Sequence, residues 1–493
     1  MTKTNYFKDL YQGAFSLLTD LYELTMAYGY WKEGMVDREA VFHLSFRKQP
    51  FKGPFAIAAG MEIALDYLQQ FQFTDSDLEY LEAQKGENRK PLFEKKFLDY
   101  LKNWKLQLDV DAMAEGTVVF PHQPLLRVQG PILQAQIMES ILLNIINFQS
   151  LIATKAARIC WAAKSDPVVE FGLRRAQGID GAVSASRAAY IGGCESTSHV
   201  LAGKLFDIPV KGTMAHSWVM AFEDEKKAFS AFAEAEPNNC IFLVDTYNSI
   251  QGTKHAVEVA KELKAKGMKF LGVRLDSGDL TYLSIEIRKI LDEGGFPDAK
   301  IMASNELDEN LISDLKHQGC LVNLWGVGTN LVTGKDQSAL DGVYKLSAVK
   351  DEKGNWQYKL KTSETMAKVT TPGISQVRRY YNDRGNVTDM LYDIHLKMDA
   401  PPTIFDFSDP AMFKEVKSEW KWRDLLIPMM RKGKSIYMHP TLEKMRANTQ
   451  EELSKFSPRM RRFLNPQPYF AGIEKNLYQF KLNMIEKIQR EFD

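Results

Sequence analysis

The feature that most constrains the fold of this chain is a regular alternation of apolar and amphipathic segments between residues 168 and 327. Short apolar runs predict strands, and the segments between them carry apolar residues at helical spacing. Because strands that alternate with helices form parallel sheets, the region predicts a series of β-α-β units. The predicted strands are 168–172, 208–213, 240–245, 270–275, 300–303 and 322–327, and the predicted helices include 219–235, 249–266, 279–293 and 306–318.

Six such units in this region fit an irregular (β/α) barrel better than an open sheet, with a doubly wound sheet as the alternative. The whole chain has 493 residues, which exceeds what one hydrophobic core normally supports, so further domains are expected. Strand signals punctuated by Gly and Pro precede the barrel, and hairpin signals follow it. The predicted fold class is α/β, divided into an amino-terminal α+β domain (1–133), an irregular (β/α) barrel (134–345) and a carboxyl-terminal α+β extension (346–493).

The composition argues against several classes of function. The 63 basic and 63 acidic residues give a formal net charge of zero, which disfavours a protein that wraps nucleic acid or lies on a membrane. The first residues lack the apolar core of a signal peptide, and no window approaches the ~20 apolar residues that span a bilayer. The four cysteines are widely spaced, which predicts free thiols without a disulfide framework or a zinc site. We therefore expect a cytoplasmic protein.

Polar or glycine-bearing motifs stand where the predicted strands end. His216 follows the run KGTMA, and comparable motifs are EFGLR (170–174), LVDTYNS (243–249), GVRLDSGD (272–279) and WGVGTN (325–330). The carboxyl ends of parallel strands face the ligand crevice in barrels and in open α/β sheets. A single histidine is more often structural than catalytic, but five such strand ends in series indicate one rim built around one ligand.

The basic and small residues on this rim suit an anionic ligand. Arg174 and Arg274 carry planar guanidinium groups that match phosphate or carboxylate, although a structural ion pair is an equal alternative for each. Gly326, Gly328 and Thr329 stand at the end of the last predicted strand and let backbone N–H groups approach an anion closely. The pattern therefore predicts a phosphate site on the rim.

Carboxylates and an aromatic ring complete the predicted site. Asp245 and Asp276 are placed to hold sugar hydroxyls or Mg²⁺, whereas Asp279 is at least equally well explained as a helix cap. Phe171 provides an aromatic wall beside them. Together the rim residues predict a phosphorylated sugar bound next to a flat ring.

Five longer motifs occur in a fixed order along the chain: TDLYELTMAYGYW, EFGLRR, KGTMAHSW, GVRLDSGDL and GVGTNLVT. In order and separation they resemble the nicotinate phosphoribosyltransferase family, from about residue 15 to residue 345. The resemblance implies a type II phosphoribosyltransferase barrel that condenses nicotinate with phosphoribosyl pyrophosphate to nicotinate mononucleotide and pyrophosphate in NAD salvage. It also implies ATP as a co-substrate, Mg²⁺, and a homodimer with sites near the subunit interface.

The resemblance further implies a role for each residue that matches a family motif. His216 would be a transiently phosphorylated histidine, and Asp276 a second catalytic residue. Tyr22, donated by the neighbouring chain, and Phe171 would stack on the pyridine ring, and Thr213 and Arg274 would contact nicotinate. The phosphate ligands would be Arg174, Gly328 and Thr329, and the ligands of the ribose or the metal would be Asp245 and Asp276.

Several alternatives stay open at this point. Within the same class, the enzyme would be a nicotinamide or a quinolinate phosphoribosyltransferase. A Schiff-base aldolase would use Lys211, at the end of a predicted strand, as its nucleophile. From a different class, the chain would be a sensor that binds a mononucleotide without catalysis.

Overall fold

The computed structural model describes residues 15–363, 369–407 and 409–492. The chain forms two compact units, each of which combines separate stretches of the sequence. The first unit takes its described residues from Met1–Ser150, Ala339–Pro440 and Glu451–Asp493, and the second takes them from Leu151–Ser338 and Thr441–Gln450.

The second unit contains a sheet of six short strands in which all neighbours run parallel. The sheet is curled into a half-barrel, so the prediction of a mixed α/β fold with an irregular barrel and added sheets is confirmed. In space the strands follow the order β2-β1-β6-β5-β4-β3. The strands are β1 (Val168–Glu170), β2 (Ser196–Thr197), β3 (Cys240–Leu243), β4 (Phe270–Leu275), β5 (Lys300–Ala303) and β6 (Leu324–Val327).

One predicted strand of this unit, 208–213, is wrong, and one observed strand, β2 (Ser196–Thr197), is absent from the prediction. Residues 208–213 form no strand, and their ladder contact is a single bridge between Val210 and Thr197. Pro209 cannot donate a ladder hydrogen bond and Gly212 weakens a strand, which explains why the pairing stops after one residue. Instead, the side-chain amide of Asn239 donates to the carbonyl of Gly212 at 2.8 Å and ties this segment to the start of β3.

The helices of the second unit alternate with its strands as predicted. Four of them are preceded by an Asp or Asn whose side chain accepts a hydrogen bond from the first turn, and Asp279 is one of these caps. The predicted helix 219–235 is two helices in the structure, because Asp224 caps the second one. The helices are α1 (Ile179–Gly192), α2 (Val200–Phe206), α3 (His216–Met220), α4 (Glu225–Ala235), α5 (Ser249–Ala265), α6 (Leu280–Glu293), α7 (Glu309–His317) and α8 (Thr329–Val332), with a 3₁₀ turn at Leu173–Arg175.

The first unit has boundaries that differ from those of the three predicted segments. Its larger sheet pairs Glu39–Phe46 with Gly342–Lys350 in antiparallel fashion, so that early and late parts of the chain share one sheet. In sheet order the seven strands are Trp356–Tyr358, Gly342–Lys350, Glu39–Phe46, Pro124–Pro131, Asp109–Met113, Leu426–Arg431 and Lys434–Ser435.

A second sheet of this unit has six strands and includes one parallel pair, between Gly385–Asp393 and Ala471–Glu474. The two hairpins expected after residue 345 are present, since Gly342–Lys350 pairs with Trp356–Tyr358 and Ser375–Asn382 pairs with Gly385–Asp393. The strands in sheet order are Phe413–Glu415, Thr403–Asp406, Ala471–Glu474, Gly385–Asp393, Ser375–Asn382 and Lys421–Asp424, and a separate short pair joins Ala56–Ile57 to Val118–Val119.

The remaining helices lie in the first unit or contain a unit boundary. Within the described part of the chain, no helix is both long enough and apolar enough to cross a membrane. These helices are Leu21–Lys32, Met61–Gln70, Asp75–Glu82, Lys95–Lys102, Ile132–Ile137, Glu139–Ala163, Leu442–Ser454 and Lys475–Phe492, together with a 3₁₀ turn at Pro50–Lys52.

Candidate functional site

A polar cavity of about 260 Å³ opens at the carboxyl ends of β1, β4, β5 and β6. Six of the ten residues to which the family resemblance assigns a role line it, and Gly326 lines it as well. The six are Phe171, Arg174, Arg274, Asp276, Gly328 and Thr329. The sequence interpretation missed its other polar lining residues, which are Arg175, Ser304, Asn305 and Glu306. The last three directly follow β5, so the rule that pointed to the other strand ends would also have found them.

Arg274 is the central cation of this cavity, and its side chain is 14% exposed. Its Nε–H donates to the Ser304 hydroxyl at 2.6 Å, and its two terminal nitrogens donate to Thr213 Oγ1 at 2.8 Å and to Asp276 Oδ1 at 2.9 Å. A guanidinium has five N–H groups, so one on the nitrogen facing Asp276 has no partner among the described residues. Arg274 is thus fixed in orientation and still has a donor for an anionic ligand.

Two carboxylates lie beside Arg274. Asp276 Oδ1 accepts from the Ser304 hydroxyl at 2.5 Å in addition to Arg274. Asp245 Oδ2 accepts from the backbone N–H of Asp276 at 3.0 Å and from the Ser277 hydroxyl at 2.6 Å. The other oxygen of Asp245 is shielded from solvent and has no hydrogen-bond partner among the described residues. Asp245 therefore keeps one acceptor for a ligand or a metal ion.

His216 is the first residue of α3 and lies close to one of these carboxylates, that of Asp276. Its Nδ1 lies 3.2 Å from the hydroxyl oxygen of Thr246, and its Nε2 lies 3.9 Å from Asp276 Oδ2. When Thr246 accepts from Nδ1–H, the lone pair of the ring is on Nε2. Thr246 was not singled out from the sequence, although it directly follows Asp245 in the LVDTYNS motif.

The ring of Phe171 occupies space that Gly326 leaves open. A Cβ on Gly326 would lie 2.8 Å from two ring atoms of Phe171, so a larger residue in β6 would displace the ring. The Arg274 guanidinium lies 5.5 Å from the ring centroid, within the range of a cation–π contact. Phe171 therefore presents a fixed aromatic face next to a fixed cation.

Thr329 begins the four-residue helix α8 that follows β6, and Gly328 precedes it as its amino-terminal cap residue. The Thr329 hydroxyl lies 3.4 Å from a carboxylate oxygen of Glu306. The buried side-chain amide of Asn330 donates to the carbonyls of Glu306 and Leu307 at 2.8 and 3.1 Å. The loops after β5 and β6 are therefore tied to each other at the edge of the cavity.

A larger hollow of about 800 Å³ shares Phe171 with the polar cavity. Apolar side chains of the sheet line part of it, including Val169, Ile241 and Met302, and Thr213 also lines it. Lys211 lies on its wall with a side chain that is 55% exposed and 4.0 Å from Glu195. The unit thus offers an apolar space for a ring and a charged space for phosphates, with Phe171 between them.

Tyr22 lies in the first unit, on the helix Leu21–Lys32, and is 45% exposed. Its predicted contact with the pyridine ring stays a prediction. Partial burial, and then the neighbouring carboxylate of Glu139, raise the pKa of the Tyr22 phenol to about 12. The phenol consequently stays neutral at physiological pH.

Family models match most of the chain. The model of the nicotinate phosphoribosyltransferase (NAPRTase) family matches residues 167–354. The models of the NAPRTase N-terminal domain and of the nicotinate phosphoribosyltransferase C-terminal domain match residues 17–147 and 374–481.

Individual proteins are similar over nearly the whole length. The chain is 40% identical to a nicotinate phosphoribosyltransferase of Bacillus subtilis (strain 168) over 492 residues, covering 99% of this chain and 98% of that protein. It is 33% identical to the nicotinate phosphoribosyltransferase of Homo sapiens, covering 94% and 95% of the two chains. The crystal structure of human nicotinic acid phosphoribosyltransferase superposes with a TM-score of 0.80 at 31% identity, covering 95% of this chain and 100% of the human chain.

Proposed function

The chain belongs to the nicotinate phosphoribosyltransferase family, and on this premise we propose that it condenses nicotinate with phosphoribosyl pyrophosphate in the cytoplasm, in a reaction of NAD salvage that is assisted by ATP through a phosphohistidine. The observation that carries the proposal is the position of Arg274, which keeps one N–H donor and whose guanidinium lies 5.5 Å from the centroid of the Phe171 ring. A carboxylate that leaves water needs a fixed positive charge, and a pyridine ring needs an aromatic face. Nicotinate presents both groups.

The phosphoribosyl group fits the polar cavity of about 260 Å³. Arg174 and the loop of Gly328 and Thr329 would hold its phosphates. Asp276 and Asp245 would hold the ribose hydroxyls or Mg²⁺, and the partnerless oxygen of Asp245 fits a metal ligand. Bound Mg²⁺ would neutralise charge on the leaving pyrophosphate. No three acidic, histidine or cysteine side chains of the described residues form a metal cluster, so water and substrate oxygens would supply the other ligands.

The bond to be made joins the pyridine nitrogen to C1 of the ribose as the C1–pyrophosphate bond breaks. The pyridine nitrogen is already a nucleophile, so the protein needs no strong base. Its contributions are to hold the ring against Phe171, to stabilise positive charge that develops at C1, and to exclude water. Asp276 lines the polar cavity together with Phe171, and its carboxylate lies 2.9 Å from the Arg274 guanidinium.

His216 would accept a phosphoryl group from ATP. The Nε2 lone pair attacks the γ-phosphorus, the bond to ADP breaks, and the Nδ1 proton stays hydrogen-bonded to Thr246. The new phosphate places negative charge next to Asp276, 3.9 Å from Nε2 before phosphorylation. Charge of that kind changes the affinity of the site for its anionic substrates and product. ATP hydrolysis is thereby coupled to nucleotide synthesis.

The assembly that fits the proposal is a homodimer. Leu21, Tyr22 and Met26 on the helix Leu21–Lys32 are 58%, 45% and 39% exposed, which is unusual for a group of large apolar side chains on one helix. Aromatic residues and methionine are enriched in the cores of protein interfaces. A second copy of the chain that covers this helix would bring Tyr22 to the pyridine ring of a site in its neighbour.

Release of pyrophosphate tests the proposed function. Pyrophosphate should form from phosphoribosyl pyrophosphate with nicotinate, and ATP should increase its yield, whereas nicotinamide and quinolinate should react poorly. Preference for either of those substrates would contradict the proposal. Tight binding of nicotinate mononucleotide without any turnover would indicate a sensor. Borohydride trapping of a carbonyl substrate on Lys211 would indicate an aldolase.

Replacement of Arg274 by glutamine should lower kcat/KM for nicotinate by roughly 10 to 100-fold. A hydrogen bond to a charged group contributes about 1.5 to 3 kcal/mol, and each 1.4 kcal/mol is about tenfold. Nicotinamide should lose less, because its amide is neutral. The measurement is kcat/KM for both substrates in parallel.

Arg288→Gln is the matched control for this change. The Arg288 side chain is 17% exposed and donates to the carbonyls of Ala299 and Phe296, so it resembles Arg274 in burial and bonding but lies outside the polar cavity. Its loss should affect stability and leave the substrate preference unchanged. Equal losses for nicotinate and nicotinamide in Arg274→Gln would mean that Arg274 holds phosphate or structure.

A further inference from the structure

A buried carboxylate lies behind the turn that carries Phe171 and Arg174, and the reaction described above does not use it. Glu170 ends β1 and is 1% exposed. No cation of the described residues forms an ion pair with it. Its oxygens accept from three neutral donors instead: the Gly172 N–H, the Ser186 hydroxyl at 2.8 Å and the Thr197 hydroxyl at 2.5 Å. A buried charge that lacks an opposite charge depends on such bonds.

These donors belong to a directed chain of hydrogen bonds. Ser186 Oγ lies 3.2 Å from the ring atom Nδ1 of His199, and Thr197 Oγ1 accepts from the backbone N–H of His199 at 2.9 Å. Because the Ser186 hydroxyl donates to Glu170, the His199 ring must donate from Nδ1 to Ser186. The imidazole is 4% exposed and precedes α2 as its amino-terminal cap residue. The carboxylate is thus held by α1, β2 and the start of α2 together.

The bond from Gly172 connects this network to the site. The neighbouring Phe171 N–H donates to the Val327 carbonyl at 2.8 Å, and the Arg175 N–H donates to the Gly172 carbonyl at 2.8 Å. A Cβ on Gly172 would lie 2.2 Å from Val332, so the turn also packs tightly against α8. Hydrogen bonds from the backbone N–H groups of Phe171, Gly172 and Arg175 therefore determine where the turn runs. Glu170 accepts the middle one of the three.

We propose that Glu170 is a positioning residue: its buried carboxylate fixes the Gly172 turn so that Phe171 faces the pyridine ring and Arg174 faces the substrate phosphate. The proposal rests on the proposed function, because the ligands of Phe171 and Arg174 follow from it. The bond to Gly172 is the decisive one. Hydroxyl groups can reverse from donor to acceptor, but a backbone N–H cannot.

Substitutions of Glu170 separate this bond from the negative charge. Glutamine keeps one acceptor oxygen for Gly172, and its NH₂ group can donate to the two hydroxyls. Aspartate is one methylene shorter and cannot reach all three donors, and alanine provides no acceptor. Ser186→Ala is the matched control, since it removes one bond to the same carboxylate and leaves the bond to Gly172.

The experiment combines substrate kinetics with hydrogen exchange of the peptide around Gly172 in the protein without substrate. Glu170→Ala and Glu170→Asp should raise KM for phosphoribosyl pyrophosphate by about tenfold, the loss expected for one hydrogen bond to a charged group, and should expose the Gly172 amide to exchange. Glu170→Gln and Ser186→Ala should stay within about threefold of wild type in KM and should keep the amide protected.

Unchanged KM and unchanged protection in folded Glu170→Ala would overturn the proposal. If that variant does not fold, the pair of Glu170→Asp and Glu170→Gln decides, and equal behaviour of the two would also overturn it. A rise in KM for Ser186→Ala equal to that of Glu170→Ala would assign the network to stability alone. Failure of the proposed function is distinguishable, because wild type would then be inactive on nicotinate while the exchange pattern of the variants still reports the turn.

Discussion

Alanine in place of His216 is expected to abolish covalent labelling of the protein by ATP that carries a labelled γ-phosphate. Wild type should acquire a phosphate that is labile in acid and stable in base, as a phosphoramidate bond to imidazole is. The Nε2 atom is accessible because the His216 side chain is 41% exposed and its Nδ1 is engaged with Thr246. Stimulation of nucleotide synthesis by ATP should disappear with the label, because the proposed mechanism routes the effect of ATP through this group.

His255 provides the matched control for labelling. It lies in the same unit, on α5, and its Nδ1 is 2.8 Å from Glu225 Oε2, so it is a partly exposed histidine with a polar partner outside the polar cavity. His255→Ala should be labelled as fully as wild type. If His216→Ala were labelled to the same extent as wild type, phosphoryl transfer to His216 would be ruled out.

Ligands bind at the carboxyl ends of parallel strands, and this rule explains how much of the site the sequence could reveal. Arg274 and Asp276 lie at the end of an apolar strand that does form, so their convergence followed from the predicted sheet. His216 was found as well, although the strand predicted before it, 208–213, is only a single bridge in the structure. The same rule covers Ser304 and Thr246, but a single hydroxyl residue after a strand also occurs in ordinary turns, so neither was singled out. Their importance appears only when the structure brings Ser304 within 2.6 Å of Arg274 Nε and Thr246 within 3.2 Å of His216.

Buried polar residues and distant strand pairs were beyond local reasoning. Glu170 is a residue type that is almost never fully buried unless it is paired, and its partners Ser186 and Thr197 come from elements that follow it. The pairing of Glu39–Phe46 with Gly342–Lys350 likewise depends on tertiary packing. Local periodicity indicates that a segment is extended, but it carries no information on which strand lies next to which.

Two inactive variants are expected to restore activity when their subunits are exchanged. The proposed homodimer places Tyr22 of one chain at the pyridine ring of the other chain's site, while His216 serves the site of its own chain. A mixed dimer of Tyr22→Ala and His216→Ala subunits then has one site with both lesions and one site with neither. At equal mixing half of the dimers are mixed, so about one quarter of the wild-type sites should return if exchange is complete and random.

A second mixture makes this result specific to the subunit interface. His216 and Asp276 lie in one compact unit of the same chain, with Nε2 and Oδ2 3.9 Å apart. Mixed dimers of His216→Ala and Asp276→Asn subunits therefore carry one lesion in each site, and they should stay inactive. Subunit exchange is verified by native mass spectrometry of chains that differ in isotope content. Recovery in the second mixture, or no recovery in the first despite proven exchange, would show that Tyr22 does not complete a site of the neighbouring chain.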